Sequence, residues 1–229
     1  MKESLSPRLL CVANLVRQGA VLADVGTDHA YLPLFLLSVG KIHRAICSDI
    51  NEGPLQSARE NASAEGLSDK ITFLLTNGLS GVMPHAPTDI AICGMGGELI
   101  AEILEKSPDS HIRGVRFLLQ PMTRQEHLRV ALGRLGFSIT EEKYTVEGEK
   151  AYLVIACEYT GEVREVGEVE ATLGLRMQSC APLSAQERAY FLKKEKALRR
   201  RRDGRARGEE STTDEDILLS HLSFLHTKE

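Results

Sequence analysis

A chain of 229 residues with 42% hydrophobic and 26% charged side chains and a formal charge of −4 is long enough for one full α/β domain and an appendage. No apolar run approaches the roughly 18 residues that span a bilayer, and MKESLSPRLL has neither the apolar stretch nor the cleavage site of a secretory leader. The five cysteines, Cys11, Cys47, Cys93, Cys157 and Cys180, are scattered and never spaced as C-x-x-C; this favours free thiols in a reducing, cytoplasmic setting over disulfides or a metal site.

In chain order, Ser6-Pro7 reads as the N-cap and first residue of a helix that Gly19 closes. Strands are expected at VLADV (21–25), RAICSD (44–49), ITFLLT (71–76), DIAIC (89–93) and VRFLLQ (115–120). Each is continuously apolar rather than alternating, as in a parallel sheet covered on both faces. Pro54 opens a helix that Gly66 stops, and Thr123-x-x-Glu126 has capping-box spacing. FSITEEKYTV and AYLVIACEY, joined by Glu-Gly-Glu-Lys, predict an antiparallel hairpin at the sheet edge. Strands and helices in alternation with a terminal hairpin make a doubly wound α/β sheet.

The texture changes near residue 161, so the chain divides into 1–160, holding every candidate ligand motif, and 161–229, a helical arm. Gly161 to Ser184 is mixed and poorly periodic. Beyond it Tyr190 and Ala197 share a helical face, and Leu218, Leu222 and Leu225 repeat at i, i+4, i+7, predicting two helices folded back on each other. Residues 161–229 hold 13 basic and 13 acidic side chains, so the first 160 residues, with 15 and 19, carry the whole −4. The densest basic run, Lys193 to Arg207, sets nine basic residues against two acidic ones. Two readings stand for it: a solvated helix face, or a grip on phosphates.

The stretch Asp24-Val25-Gly26-Thr27-Asp28-His29-Ala30-Tyr31 runs from a strand through one glycine into a helix. That glycine lets a ligand approach the backbone beside a helix N-terminus. A dinucleotide would need G-x-G-x-x-G, and Asp28 would repel its pyrophosphate. A cationic ligand with an amino-acid end suits Asp24 and Asp28, and S-adenosylmethionine has both features. Asp49 ends the second strand where an acid can bind ribose hydroxyls, and Asn77-Gly78-Leu79 ends the third where an adenine would lie. Strand four delivers Cys93-Gly94-Met95-Gly96-Gly97, three glycines in four residues. It lacks the Asn-Pro-Pro-Tyr-like motif of enzymes that methylate exocyclic amino groups. His29 is either a hydrogen-bonded structural residue or a ligand or catalytic group. Tyr31 is either core or a stacking platform.

DVGTDHAYLP, DINEGPLQSA, NGL, GMGGELI, LLQPMTRQEHLR and EGEKAYLV, in that order from about Arg8 to Tyr159, resemble the bacterial tRNA adenine-N1-methyltransferase family acting at position 22 of the D-arm. The resemblance implies a Rossmann-like methyltransferase sheet with a coiled-coil-like C-terminal arm, S-adenosylmethionine as donor, tRNA as acceptor, and neither metal nor membrane. It implies donor contacts from Asp24, Gly26, Thr27, Asp28, His29, Asp49, Ile50, Asn51, Asn77, Gly78, Leu79, Gly94, Met95, Gly96 and Gly97. Asp28 and His29 are the catalytic candidates. Arg8, Tyr31, Gln120, Pro121 and Arg199, Arg200, Arg201 and Arg202 are those for the substrate. An NAD-dependent oxidoreductase and a non-catalytic RNA-binding module are the competing readings.

Overall fold

A computed structural model describes residues 5–107, 111–179 and 181–226. Seven strands form one sheet: β1 (Val21–Val25), β2 (Arg44–Asp49), β3 (Ile71–Leu75), β4 (Asp89–Met95), β5 (Arg116–Pro121), β6 (Phe137–Glu147) and β7 (Lys150–Tyr159). Their order is β3-β2-β1-β4-β5-β7-β6. The first five run parallel, and β7 pairs antiparallel with both β5 and β6. Every expected strand forms, with ends differing by at most two residues. The chain reverses direction across the sheet between β1 and β4, so a ligand crevice opens there beyond the strands' carboxyl ends.

The parallel strands are buried on both faces, which is why their sequences are continuously apolar. On one face α1 (Pro7–Leu15), α2 (Tyr31–Ser38) and α3 (Glu52–Ala64) pack through Val12, Leu15, Leu32, Leu36, Ala58 and Ala62 against Leu22 and Cys47. On the other, α4 (Gly97–Glu105) and α5 (Gln125–Arg134) pack through Ile100, Leu104, Leu128 and Leu132 against Ala23, Val25, Ile90 and Ile92. Alternate residues of β1 thus serve opposite cores, as the two-residue strand period requires.

Three local expectations are corrected. The Ser6 hydroxyl caps α1 by accepting from the Leu9 amide at 3.4 Å, but the helix ends at Leu15, and Gly19 (φ +74°) belongs to the turn beyond. Asn51 is the N-cap of α3, so Pro54 is its third residue and not its first; Gly66 (φ +68°) does terminate it. Thr123 caps nothing: α5 enters through Arg124 at φ +56° with no side-chain cap. The Thr123 carbonyl instead accepts from the Gly97 amide at 2.8 Å, and the Glu126 carboxylate lies 3.7 Å from Lys194.

The mixed segment after Gly161 holds a short helix, α6 (Glu168–Leu173), and a 3-10 turn over Gly174–Gln178. The long helix α7 (Ala185–Arg207) opens with a capping box, Ser184 with Glu187, and α8 (Thr213–His221) folds back on it. Their antiparallel pairing is fixed by Arg188 donating to the Leu225 carbonyl (2.8 Å) and by the Arg201–Glu215 ion pair (2.5 Å). Tyr190, Phe191, Leu198, Leu218, Leu222 and Leu225 join the same hydrophobic core as Phe117, Phe137 and Leu153, so these helices rest on the hairpin edge of the sheet.

Candidate active site

β1 stops at Val25 and the chain turns through Gly26 at φ +75°, a conformation that favours glycine. The Gly26 and Thr27 amides both donate to the Ser48 carbonyl, at 2.8 and 2.9 Å, tying the turn to the end of β2. A Cβ at Gly26 would collide with the Met95 methyl group. Ala30 at φ +56° starts α2, and the Asn61 side chain donates to the His29 carbonyl at 3.0 Å. The turn is therefore held from both sides.

Across the switch point, β4 bulges between Cys93 and Met95, opposite Gln120 and Pro121. The residue left out of the ladder is Gly94, at φ +79°, and a bulge leaves such an amide without its ladder partner. Here the Gln120 Oε1 atom accepts it at 3.1 Å, and the same oxygen accepts Arg8 Nη1 at 2.8 Å. Gln120 is fully buried. It therefore holds the Gly94 loop and the Arg8 guanidinium in register rather than presenting itself to a ligand, and Pro121 is buried beside it. The Arg8 guanidinium lies 6.0 Å over the Tyr152 ring.

These pieces enclose a cleft of about 1180 Å³, lined by Arg8, Asp24, Gly26, Thr27, Asp28, His29, Tyr31, Cys93, Gly94 and Glu147 among others. Asp24 is buried, and burial raises its carboxyl from 3.8 to about 6 against the opposing pull of the Thr27 hydroxyl, which donates to it at 2.7 Å. Among the described residues no positive side chain lies in hydrogen-bond reach of Asp24, and such a buried acid is a place for a bound cation. Asp28 is open to water, with its side chain 78% exposed, and lies 3.4 Å from His29 Nε2. The His29 and Tyr31 rings lie 5.2 Å apart, tilted by 36°, and Tyr31 is exposed.

The remaining candidates sort into three groups. Asp49 is the last residue of β2, and Ile50, Asn51, Asn77 and Gly78 sit beyond the ends of β2 and β3, on the same sheet edge but outside the walls of the cleft. Asp49 Oδ1 accepts the Asn51 amide at 2.8 Å, shaping that loop. Leu79 belongs to the hydrophobic core by its side chain, and Gly97 is small for a reason internal to the protein, since a Cβ there would strike the Arg124 and Thr123 carbonyls. Gly96 N-caps α4 beside Thr123.

Arg199, Arg200, Arg201 and Arg202 lie on α7, away from the cleft. Arg199 pairs with Glu195 (2.7 Å), Arg201 with Glu215 (2.5 Å), and Arg202 with Asp203 (3.1 Å) and Asp216 (3.6 Å). Arg200 is exposed. Arg201 also lines a groove of about 570 Å³ between α5 and α7, whose other charges, Glu98, Arg124, Glu126, Glu168 and Lys194, are of both signs. The run is thus largely stitched into its own helical pair.

Cys11, Cys47, Cys93 and Cys157 are free thiols, while Cys180 lies outside the described residues. Burial lifts the thiols of Cys47, Cys93 and Cys157 well above the usual range and that of Cys11 to about 11, so they stay protonated at neutral pH. Among the described residues no group of three or more His, Cys, Asp or Glu is placed to hold a metal ion, and no helix is long and apolar enough to cross a membrane. Reasoning from sequence missed two partners in this architecture. Gln120's double acceptor role depends on a bulge that spacing does not reveal, and Glu147 sits in a turn that reads as solvent-exposed.

Comparison with known proteins agrees with this geometry. A family profile described as "Methyltransferase domain" matches residues 5–155. The tRNA (adenine(22)-N(1))-methyltransferase of Bacillus subtilis (strain 168) is 35% identical over 191 residues, which is 83% of this chain and 79% of that protein. The Streptococcus pneumoniae protein Sp1610, solved in complex with S-adenosyl-L-methionine, superposes with a TM-score of 0.81 at 33% identity, covering 98% of this chain and 100% of that one. M. capricolum TrmK, in complex with S-adenosyl-homocysteine, superposes with a TM-score of 0.78 at 26% identity, covering 98% and 99%.

Proposed function

This chain belongs to the tRNA (adenine(22)-N(1))-methyltransferase family, and from that premise we propose that it methylates N1 of an adenine in the D-arm of tRNA with S-adenosylmethionine as donor. Membership in an enzyme family sets aside the oxidoreductase and the non-catalytic RNA-binding readings. The observation that carries the proposal is the cleft at the β1–β4 switch point, where a buried acid, Asp24, stands between two left-handed glycines, Gly26 and Gly94.

The residues fit the donor. Asp24 offers a buried negative charge to its cationic end, the Gly26 and Gly94 backbone permits close approach, and Asp49 with Asn77 stands where ribose and adenine would extend along the sheet edge. The donor supplies an electrophilic methyl group. Adenine N1 carries an in-plane lone pair, so no base has to remove a proton first. The protein's tasks are to hold the base out of the tRNA stack, align it and exclude water. Tyr31 and His29 offer a stacking wall, and Asp28 and His29 are the proposed groups facing the developing charge. Arg8, held by Gln120, and exposed Arg200 are the proposed cations for phosphate contact. Free, protonated thiols fit the reducing cytoplasm, where tRNA is modified.

The test is to incubate the protein with tRNA and labelled donor and to map methylated adenines. Label at N1 of the D-arm adenine is expected; label elsewhere, or none with a donor-binding, folded protein, refutes the assignment.

A further inference from the structure

Glu147 is the last residue of β6, at a tight turn where Gly148 takes φ +57° and Lys150 pairs back across the hairpin. It lines the same cleft as Asp24, Gly26, Gly94 and Arg8. Its Oε2 atom has no exposed surface and, among the described residues, no hydrogen-bond partner. A carboxylate oxygen stripped of water and left without a donor is costly to a fold. Arg8, the cation of the cleft, is taken up by Gln120 and lies over Tyr152. The cleft, at about 1180 Å³, exceeds the roughly 300–1000 Å³ of a typical single-ligand site. It has space for a second molecule beside the donor, and one bearing N–H groups would supply Glu147 with a donor once its partly exposed side chain turns that oxygen toward the cleft.

We propose that Glu147 accepts a hydrogen bond from the exocyclic amino group of the target adenine and stabilises the charge that methylation places on the base; this rests on the adenine-N1 reading above. Adenine presents its N6–H2 donor directly beside N1. In the transfer, the N1 lone pair forms the new N–C bond while the electrons of the donor's C–S bond stay with sulfur. No proton leaves in that step, and one positive charge passes from sulfur to the adenine, where it spreads onto N6. A carboxylate at N6 therefore binds the product-like state more strongly than the neutral base, which is the condition for accelerating the step. Asp28, being 78% exposed, acts through water and is screened. Glu147, only partly exposed, is screened less, so it carries the larger effect.

The experiment compares wild type, Glu147→Gln and Glu147→Ala by single-turnover methylation, on tRNA carrying either adenine or purine (no amino group) at the target position. Donor affinity is measured by calorimetry on the same preparations. With adenine, Glu147→Gln is expected to lose about 10- to 100-fold in rate, the scale of one hydrogen bond to a charged group, with donor affinity within about twofold of wild type. Purine lowers the rate in every enzyme through its weaker N1, but that intrinsic loss cancels in the cycle. Wild type should lose more on purine than Glu147→Gln does. If the two losses simply multiply, Glu147 does not touch the amino group. If donor affinity falls in step with rate, it is a donor ligand. Either result overturns the proposal. Should Glu147→Ala fail to fold, the Gln variant carries the cycle alone. If wild type methylates no tRNA adenine, it is the functional reading that falls, and this inference with it.

Discussion

Arg129 Nε lies 2.7 Å from Glu142 Oε1, and the two side chains are 1% and 2% exposed. Burial alone would lower the guanidinium's pKa, but Glu142, with Tyr190 and Tyr144 beside it, raises it on balance. Arg129 Nη1 also donates to the Ala171 carbonyl at 2.7 Å, and Glu142 Oε2 accepts the Leu175 amide at 3.0 Å and the Tyr144 hydroxyl at 3.1 Å. Gly174, at φ +65°, leaves no volume for a Cβ beside them. The pair thus fastens α5, β6 and the crossing to the C-terminal helices.

Breaking one member strands a buried charge, so Arg129→Met or Glu142→Gln should each destabilise the fold by about 3–5 kcal/mol. Removing both should cost less than the sum. Urea denaturation of the four proteins decides it, and a single-variant loss below about 1 kcal/mol would contradict the packing described.

Asp24 makes stability pH-dependent in an unusual direction. Its folded pKa of about 6 exceeds the ordinary 3.8, so between those values the folded state keeps a proton that the unfolded state has released. Its contribution is complete below about pH 3.8 and is lost as pH rises through about 6, by roughly 3 kcal/mol. Asp24→Asn should abolish that slope when unfolding free energies at acid and neutral pH are compared. A cation bound beside Asp24 favours its carboxylate, so donor binding near pH 5–6 should release protons. Calorimetry in two buffers of different ionisation heat would reveal this.

Asp49→Ala should weaken donor binding by roughly 1.5–3 kcal/mol, the scale of a hydrogen bond to a charged group. Unchanged calorimetric affinity in a folded variant would remove Asp49 from the site.

Asp28→Asn should lower kcat by about 10-fold, the modest end of electrostatic effects, because water screens an exposed carboxylate. Donor affinity should change less than the rate. Parallel losses would make Asp28 a donor ligand only.

Arg200 and Arg201 should separate. Arg200→Gln should leave the melting temperature unchanged and flatten the slope of log Kd for tRNA against log salt by about 1. Arg201→Gln removes the nearer partner of Glu215, which has no exposed side-chain surface, and leaves it only Arg205 at 3.5 Å, so melting temperature should fall. Equal salt slopes for wild type and Arg200→Gln would mean that this position meets no phosphate.

The parallel strands were legible because burial on both faces leaves an unbroken apolar signature, as in DIAIC and RAICSD. The Gly26 turn and its acids were legible because a strand meeting one glycine and Asp28 excludes a pyrophosphate. Long-range pairings were not. Nothing near Arg129 in sequence announces Glu142, and Thr123-x-x-Glu126 imitates a capping box while tertiary contacts to Gly97 and Lys194 claim both residues. The arginine run illustrates the same limit: its charge is visible in sequence, but its neutralisation by Glu215 and Asp216 depends on how two helices meet. α6 went unread because six residues offer too little periodicity to register.

The 112-residue separation between Arg8 and Gln120 has a consequence for biosynthesis. At roughly 5–20 residues per second, a ribosome needs roughly 6–22 s after Arg8 to make Gln120, and longer to make the hairpin against which α1 rests. During that interval Val12, Leu15 and Val16 have no hairpin to cover them, and the cleft lacks one wall. The Gly26 turn is therefore made well before β6 and β7, and the cleft is complete only when that hairpin closes over α1.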